Sequence, residues 1–388
     1  MEPFIEIASA QKNKHGMLVC GDAFEVKRLE NNKRILAVLS DGLGSGIKAS
    51  ILAKMTVSMA LKFLATDKDL ISSMKVIMDT LPVCQTRQIS YATFSIIDST
   101  IGGSTRIIEM GNPSFMHFSG NKLQEHKAIE LHSAGWEQRA YRVTDFVPKP
   151  EDRIIICSDG VTQAGLGRDK CKLGFRRNGV AESCSKKIKS NSTISANNLA
   201  NHILRSALKC EEQFKNYDDM TAGIFYFRNP RTLTVLAGPP FQESKDEMYV
   251  EKFIHSQGKK IICGGTTCNI VSRITGREPT TILRRRGNLP LTAEMKGIDL
   301  VTEGVLTLTR VAKILEENPS EKEDSPAQDM VNIFLECDKI HFMLGTRINE
   351  AHQDPTLPQE LAFRRTLIKK ISSLLEKKYL KEISLELI

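Results

Sequence analysis

Four aspartates stand at the ends of apolar runs in well-separated parts of the chain. Asp22 and Asp41 follow the runs MLVCG and ILAVLS, Asp159 follows RIIICS, and Asp218 precedes MTAGIFYF. An Asp-Gly pair alone is typical of a tight turn, because aspartate caps the local backbone and glycine accepts a positive φ. Turns do not explain why the pattern recurs, since an apolar strand needs no carboxylate at its end. The four aspartates are therefore a candidate site.

Carboxylates gathered at one sheet edge favour bound cations. Asp218 is followed directly by Asp219, and neighbouring carboxylates raise each other's pKa unless positive charge lies between them. Oxygen ligands without nearby His or Cys select Mg²⁺ or Mn²⁺. Two such ions about 3.5–4 Å apart can acidify a bridging water that attacks a phosphoryl group in line. The role of Asp219 is left open: it is an acid that orients a ligand, a ligand of a further ion, or a turn residue.

A serine nucleophile is the alternative chemistry at the same positions. Ser40 and Ser158 each precede one of the aspartates, but neither has a histidine near it in sequence. The segment GLGSG after Asp41 is not a nucleophile elbow, and it lacks the Lys-Ser/Thr ending of a P-loop. We therefore interpret the serine hydroxyls as supports of the loops and the glycines as a tight turn into a helix.

Apolar runs and helical periodicity place these residues on an α+β framework. Helices are predicted over 47–64, 69–81 and 196–210, and the first is expected to bury one apolar stripe, formed by Ile47, Ile51, Leu52, Met55, Met59 and Phe63. Consecutive strands without helices between them predict antiparallel sheets covered by helices. The polar, basic segment 165–195 is predicted to be a mobile surface flap. The predicted strands are Met17–Cys20, Ile35–Ser40, Tyr91–Asp98, Ser104–Met110, Phe115–Ser119, Arg153–Ser158 and Thr221–Phe227.

The chain is long enough for two domains. Its 388 residues exceed the usual size of one core. The strand-rich region covers 1–228, a proline-bearing linker is expected over 229–240, and alternating strands and helices predict a smaller α/β domain over 241–388. In that domain Gly264-Gly265-Thr266-Thr267 stands between a strand and a helix. It is either an anion-binding helix start or a tight turn with a threonine cap.

Composition narrows the classes of function. The hydrophobic and charged fractions, 41% and 26%, are those of a soluble globular protein, and no apolar run approaches the roughly 20 residues that span a bilayer. The first residues lack signal-peptide features, so we expect a cytoplasmic protein. The nine cysteines contain no CxxC pair and are expected to be free thiols. The net charge of +8 lies in short clusters and aromatics are only 6%, which argues against nucleic-acid binding.

The four acidic motifs carry a family resemblance. GDAF at 21–24, SDGLGSG at 40–46, CSDGV at 157–161 and DDMTAG at 218–223 resemble, in order and spacing, the PP2C-type metal-dependent protein phosphatases. They look most like the bacterial branch typified by stage II sporulation protein E. The resemblance covers about residues 1–228 and implies a β-sandwich flanked by helices, with two Mn²⁺ or Mg²⁺ ions at one edge. Position by position, it implies that Asp41 bridges both ions, that the Gly42 carbonyl binds one, and that Asp159 and Asp218 bind the other. Asp22 is then a ligand or orients the attacking water.

The resemblance implies a function as well as a site. It implies a serine/threonine protein phosphatase that hydrolyses a phosphorylated regulatory protein by attack of a metal-bridging water, with Asp22 and Asp41 as catalytic residues. The C-terminal domain would regulate it or bind a partner or ligand, and a homodimer stays open. Eukaryotic members carry a glutamate before the first aspartate and an upstream arginine. Here Gly21 precedes Asp22 and only Lys12 and Lys14 stand upstream, so the phosphate-gripping residue is unassigned. The alternatives are a non-catalytic signalling scaffold or sensor that acts through its C-terminal domain, and a hydrolase of a small phosphate ester.

Overall fold

The computed structural model describes residues 3–29, 33–65, 70–80, 92–133, 136–168, 170–281, 292–317, 324–347 and 357–388. The chain divides into two units, Met1–Asn229 and Pro230–Ile388. No helix in these described ranges has the length and apolar character needed to cross a membrane. The predicted end points Asp69, Leu81 and Tyr91, and the thiol of Cys84, lie outside the described residues.

The first unit is built on two antiparallel sheets. Its elements, in chain order, are β1 (Phe4–Lys12), β2 (Asp22–Leu29), β3 (Arg34–Gly42), α1 (Ile47–Leu64), α2 (Leu70–Thr80), β4 (Ala92–Thr100), β5 (Thr105–Met110), β6 (Met116–Ser119), β7 (Lys122–Gln124), β8 (Ile129–Ser133), β9 (Trp136–Phe146), β10 (Asp152–Cys157), α3 (Asp159–Thr162), α4 (Arg176–Ser190), α5 (Ala196–Cys210) and β11 (Met220–Arg228). One sheet has the order β1-β11-β10-β6-β7, and the other has the order β2-β3-β4-β5-β9-β8.

The two sheets of the first unit form a sandwich with helices on both outer faces. Apolar side chains from both sheets, such as Ile35, Ile97, Ile156 and Phe225, fill the space between them. Helices α4 and α5 cover the five-stranded sheet, and α1 and α2 cover the six-stranded one. Alternating side chains on each strand supply both the inner and the outer core. The predicted α+β sandwich flanked by helices is confirmed.

Helix α1 has the predicted bounds but buries only part of the predicted stripe. Met59 and Phe63 of that stripe pack partly buried against the core, whereas Ile47, Ile51 and Met55 are 68%, 52% and 50% exposed. The fully buried residues of the first turns are small, among them Ala49 and Ala53. The reason is the close approach of the helix to the end of β3. A Cβ on Gly42 would lie 2.1 Å from the carbonyl oxygen of Ala49, so only a small-residue face fits there.

Two further predictions for the first unit are wrong. Met17–Cys20 is not a strand, since the chain turns there and β2 begins only at Asp22. The segment 165–195 is not a flap, because it contains α4. Val180, Cys184 and Ile188 of that helix are buried in the core at four-residue steps. Those three apolar positions lie within a segment whose composition is otherwise polar and basic, so composition alone points to the surface.

The second unit has the predicted α/β character, and its sheet carries helices on both faces. Its elements are β12 (Thr232–Ala237), α6 (Asp246–Ile254), β13 (Lys259–Cys263), α7 (Gly265–Thr275), β14 (Thr280–Thr281), β15 (Ala293–Met295), β16 (Ile298–Thr302), α8 (Val305–Glu317), α9 (Pro326–Glu336), β17 (Lys339–Leu344), α10 (Leu357–Lys377) and β18 (Glu382–Leu387). The sheet order is β14-β15-β16-β13-β12-β17-β18, and the strands from β16 to β18 are parallel. Helices α8, α9 and α10 pack on one face, and α6 and α7 on the other.

The linker predicted over 229–240 is wrong at its centre. Residues 232–237 form β12, which has parallel partners on both sides and buries Leu233, Val235 and Ala237. The flanking prolines suggested a linker, but the run TLTVLA between them has the composition of a central strand. Strand position is set by partners from distant segments, which the local sequence does not reveal.

The cysteine prediction is wrong for one pair. Cys171 and Cys210 form a disulfide that joins the segment after α3 to the end of α5. The remaining cysteines in the described ranges are free. At the GGTT segment, α7 begins at Gly265 and the Thr267 hydroxyl accepts a hydrogen bond from the Gly238 N–H at 3.0 Å. That contact is a packing role for Thr267 and leaves anion binding a prediction.

Candidate metal centre

Strand pairing in the six-stranded sheet sets the first two aspartates side by side. Asp22 begins β2 and Asp41 lies near the end of β3, and the antiparallel register places them directly opposite each other. Directly opposed side chains have Cβ atoms about 5 Å apart on the same face of a sheet. The Gly42 N–H donates to the carbonyl oxygen of Gly21 at 3.3 Å, which closes this corner. The first two acidic motifs therefore form one edge of the site.

The other sheet supplies the second pair from its matching edge. Asp159 follows β10 and begins α3, and Asp218 precedes β11, which is antiparallel to β10. The Ser158 N–H donates to the Thr221 carbonyl oxygen at 3.0 Å. The Ser158 hydroxyl in turn accepts from the Thr221 N–H at 2.9 Å. Because the end of one strand meets the start of the other, Asp159 and Asp218 emerge at the same edge.

Direct contacts join these two edges. The Thr221 hydroxyl donates to Oδ2 of Asp22 at 2.6 Å, and the carboxyl group of Asp159 is near enough to that of Asp41 to raise its pKa. A Cβ on Gly160 would lie 2.1 Å from the carbonyl oxygen of Asp219. Glycine at that position therefore allows the two motifs to approach. The structure thus brings together all four aspartates singled out in the sequence.

The acidic side chains perturb one another strongly. Burial, followed by the charges of Asp22 and Asp159, raises the pKa of Asp41 to about 9. Burial also raises the pKa of Asp22 to about 7, although hydrogen bonds from the Thr221 and Ser158 hydroxyls oppose the shift. For Asp218 the pKa is raised mainly by burial. These carboxyl groups hold protons more strongly than ordinary aspartates, which is the electrostatic condition that a bound cation would relieve.

Several carboxylate oxygens in the site lack a hydrogen-bond partner. Oδ1 of Asp22, Oδ1 of Asp159 and Oδ2 of Asp219 are buried, and no hydrogen-bond donor reaches them. Hard oxygen donors of this kind suit Mg²⁺ or Mn²⁺, so the donor set fits the predicted ions chemically. In the part of the chain that the structure describes, no three Asp, Glu, His or Cys side chains form a ready-made ion cage. Ion binding would therefore require some of these carboxyl groups to turn.

Gly42, the remaining predicted ligand, is buried at the last position of β3. Its contact with the first turn of α1, described above, explains the need for glycine without reference to an ion. Its role as a carbonyl ligand stays a prediction.

Asp219 is more central than the sequence suggested. It is only 3% exposed, whereas Asp218 is half-buried. Oδ1 of Asp219 accepts a hydrogen bond from the Lys14 backbone N–H at 2.9 Å, and Oδ2 lies 2.9 Å from the place of a Cβ on Gly21. Asp219 therefore ties the N-terminal segment to the acidic centre. The only sequence signal for this role was the pair of adjacent acids.

Two other residues of the site were missed. Thr221 donates to Asp22, and the side-chain amide of Gln163 donates to Oδ2 of Asp159 at 3.0 Å. Gln163 stands four residues after Asp159, a spacing that places side chains together on a helix. Thr221 belongs to β11 and meets Asp22 only because the two sheets pack together. The first contact could have been predicted from spacing, and the second could not.

Comparison with known proteins places the first unit in a family. Residues 31–228 match the family described as stage II sporulation protein E (SpoIIE). The curated stage II sporulation protein E of Bacillus subtilis is 27% identical over 176 residues, which cover 45% of this chain and 21% of that protein. This chain thus spans about a fifth of the length of that relative.

Solved structures of phosphatase domains resemble the chain at low identity. The PP2C phosphatase domain of SpoIIE from Bacillus subtilis, with a fragment of its regulatory domain, shares 21% identity at a TM-score of 0.49, covering 59% of this chain and 63% of the other. The catalytic domain of the serine threonine protein phosphatase PstP, in complex with two manganese ions, shares 13% identity at a TM-score of 0.39, covering 58% and 100%. Since the matched family region covers half of the chain and includes all of the acidic motifs except Asp22, this chain belongs to the SpoIIE family.

Proposed function

We propose that the chain is a Mn²⁺- or Mg²⁺-dependent serine/threonine protein phosphatase that acts on a phosphorylated regulatory protein. The observation that carries the proposal is the convergence of acidic side chains from four chain segments, with buried carboxylate oxygens that have no hydrogen-bond donor. Burial of like charges costs stability. Proteins keep such an arrangement mainly where the charges serve binding or catalysis. Membership of the SpoIIE family supports the same class of reaction.

The chain's own residues would divide the work of this site. Asp41, Asp159 and Asp218, with the Gly42 carbonyl, would hold the ions, as the family resemblance implies. When bound, the ions supply positive charge for the phosphoryl group and lower the pKa of the attacking water. The Thr221 hydroxyl fixes Oδ2 of Asp22, which leaves Oδ1 to bind an ion or to accept a proton.

Asp22 is suited to accept a proton or to orient the attacking water. Its pKa is about 7 in the ion-free site, and bound cations would lower that pKa and keep the group a carboxylate. Its carboxyl group is 3% exposed and is fixed by Thr221, so its orientation is set before substrate arrives. We therefore assign Asp22 to water orientation or proton transfer, in addition to ion binding.

A non-catalytic scaffold is the second candidate, and one observation favours it. The described residues include no ready-made cage of three ligands, as expected if the centre binds ions weakly. In that case the second unit would carry the signal, and the acidic site would be a sensor. A regulatory role for the second unit is compatible with both candidates.

Phosphatase assays of the full chain distinguish these candidates. We would measure hydrolysis of p-nitrophenyl phosphate and of a phosphoserine peptide with Mn²⁺, with EDTA, and in the variant Asp41→Asn. Glu25→Gln is the matched control, since Glu25 is an exposed acid on β2, the strand of Asp22. A phosphatase requires Mn²⁺-dependent turnover that Asp41→Asn lowers on the order of 100-fold or more and Glu25→Gln leaves unchanged. Calorimetric Mn²⁺ binding without turnover of either substrate would identify a scaffold.

A further inference from the structure

An exposed apolar surface borders the acidic centre. Its side chains are Ile47, Ile51 and Met55 of α1, together with Met17 and Leu18 of the turn before β2. Met17 and Leu18 are 43% and 97% exposed. We call this set the α1 ridge. Five large apolar side chains exposed together form more than the scattered single residues of an ordinary surface. Such a patch is typical of a docking site.

The two segments of the α1 ridge meet at Gly46, the last residue of the acidic motif that contains Asp41. The sulfur of Met17 lies 3.9 Å from the place of a Cβ on Gly46, the residue before α1. The ridge is tied to the acidic centre at both segments, because Ala49 packs against Gly42 and the Lys14 N–H donates to Asp219. A protein bound on the ridge would therefore lie beside the aspartates.

The helix that carries most of the ridge is positively charged. Lys48, Lys54 and Lys62 of α1 are exposed, and residues 43–65 contain no aspartate or glutamate. Lys12, which precedes the turn, is exposed as well. Complementary charge steers a partner to its site and excludes partners of like charge. This surface favours an acidic partner and disfavours a basic one.

We propose that the α1 ridge docks the phosphoprotein substrate, through a segment of that substrate that combines apolar side chains with acidic ones close to the phosphoserine. The inference rests on the proposed phosphatase function and specifies its substrate class. Ile47, Ile51 and Met55 repeat at four-residue steps, so the row they form runs about 12 Å along the helix. An extended segment of about four residues covers that length. The recognised side chains should therefore lie within a few residues of the phosphoserine.

Paired phosphopeptides test this specificity on the full chain with Mn²⁺. One peptide carries leucine, isoleucine and glutamate within eight residues of the phosphoserine. The other has serine, asparagine and lysine at the same positions. The test variants are Ile51→Gln with Met55→Gln, and Lys54→Glu alone. Ile129→Gln is the matched control, because Ile129 is an apolar side chain of the same unit with 62% exposure.

The proposal requires a selective loss. The wild type should prefer the acidic, apolar peptide, and the double variant should lower kcat/KM for that peptide at least about tenfold through KM. Lys54→Glu should act in the same direction. Turnover of p-nitrophenyl phosphate should not change in either variant, and Ile129→Gln should behave as wild type. Equal losses for both peptides, or none, would overturn the docking role.

Failure of docking is separable from failure of catalysis. If the wild type hydrolyses neither peptide nor p-nitrophenyl phosphate, the proposed function fails. Fluorescence anisotropy of the labelled acidic peptide then tests docking alone, and equal binding by wild type and double variant would overturn it. Analytical ultracentrifugation tests whether the ridge instead binds a second copy of the chain. If the wild type is a dimer that the double variant dissociates, the ridge binds a second copy of the chain and the proposal is wrong.

Discussion

Asp41→Asn should abolish activity and yet stabilise the ion-free protein. The pKa of Asp41 is raised from 3.8 to about 9, first by burial and then by the charges of Asp22 and Asp159. The folded protein therefore holds a proton that the unfolded chain releases at much lower pH. Such a group contributes its full stability below pH 3.8 and loses that contribution as the pH rises through the folded value of about 9. Asparagine cannot ionise and is free of this loss.

The size of the effect follows from the shift. Over the range in which only the folded state holds the proton, the free energy of unfolding falls by about 1.4 kcal/mol per pH unit for this group. The pKa of Asp41 in the unfolded chain lies about three pH units below pH 7, so the loss of unfolding free energy at pH 7 is at most about 4 kcal/mol. The asparagine amide also places an N–H donor among acceptor oxygens, and an imperfect hydrogen bond there reduces the gain in stability. We expect Asp41→Asn to raise the free energy of unfolding at pH 7 by about 1–3 kcal/mol.

Urea unfolding in EDTA measures this difference. Trp136, the chain's single tryptophan, lies in β9 of the first unit, so its fluorescence reports the unit that contains the acidic site. Wild type, Asp41→Asn and the exposed-acid control Glu25→Gln would each be unfolded at several pH values between about 5 and 8. The gap between wild type and Asp41→Asn should widen as the pH rises, and Glu25→Gln should follow wild type.

Two results would refute this reasoning. Asp41→Asn could be no more stable than wild type at pH 7, or the difference could be independent of pH. Either result would mean that Asp41 is not held under electrostatic strain, and the argument that the site needs cations would lose its main support.

Three further outcomes are expected. Saturating Mn²⁺ should stabilise the wild-type chain by about 2.7 kcal/mol when its concentration is 100 times Kd, seen as a rise in Tm that EDTA reverses, and an unchanged Tm would speak against specific ion binding. Gly42→Ala should destabilise the first unit by about 2–4 kcal/mol, because its Cβ would lie 2.1 Å from the Ala49 carbonyl oxygen. Gly265→Ala, whose Cβ meets nothing within 4 Å, should be near neutral, and urea unfolding compares the two. Thr221→Val removes the 2.6 Å hydrogen bond to Asp22, so the pKa of Asp22 should rise. Any acidic limb of the pH–rate profile that Asp22 causes should then move to higher pH. An unmoved limb would exclude Asp22 as its source.

Local pattern in the sequence was enough for the framework and for the acidic motifs. Apolar runs predicted six of the eleven described strands of the first unit and missed β1, β2, β7, β8 and β9. The bounds of α1 were predicted to the residue because a helix is specified by local periodicity and its end signals. The four aspartates were singled out because each directly follows or precedes an apolar run. Strand pairing brings them together two by two, Asp22 with Asp41 and Asp159 with Asp218, since antiparallel neighbours bring the end of one strand to the start of the next. Packing of the two sheets then joins the two pairs.

Tertiary packing decided which side of each element faces the core and which acids are buried. The whole apolar stripe of α1 was expected inside, but in its first turns the close approach of Gly42 to Ala49 admits only small side chains, and Ile47, Ile51 and Met55 are exposed. Asp219 is buried, and Thr221 reaches Asp22, because the two sheets pack face to face and bring these strand ends together. The central strand β12 was not predicted, because its parallel partners β13 and β17 come from distant segments. Sequence by itself determines the local conformation and the chemistry available, whereas the partners of a face or a carboxylate come from distant segments and are fixed only when those segments pack together.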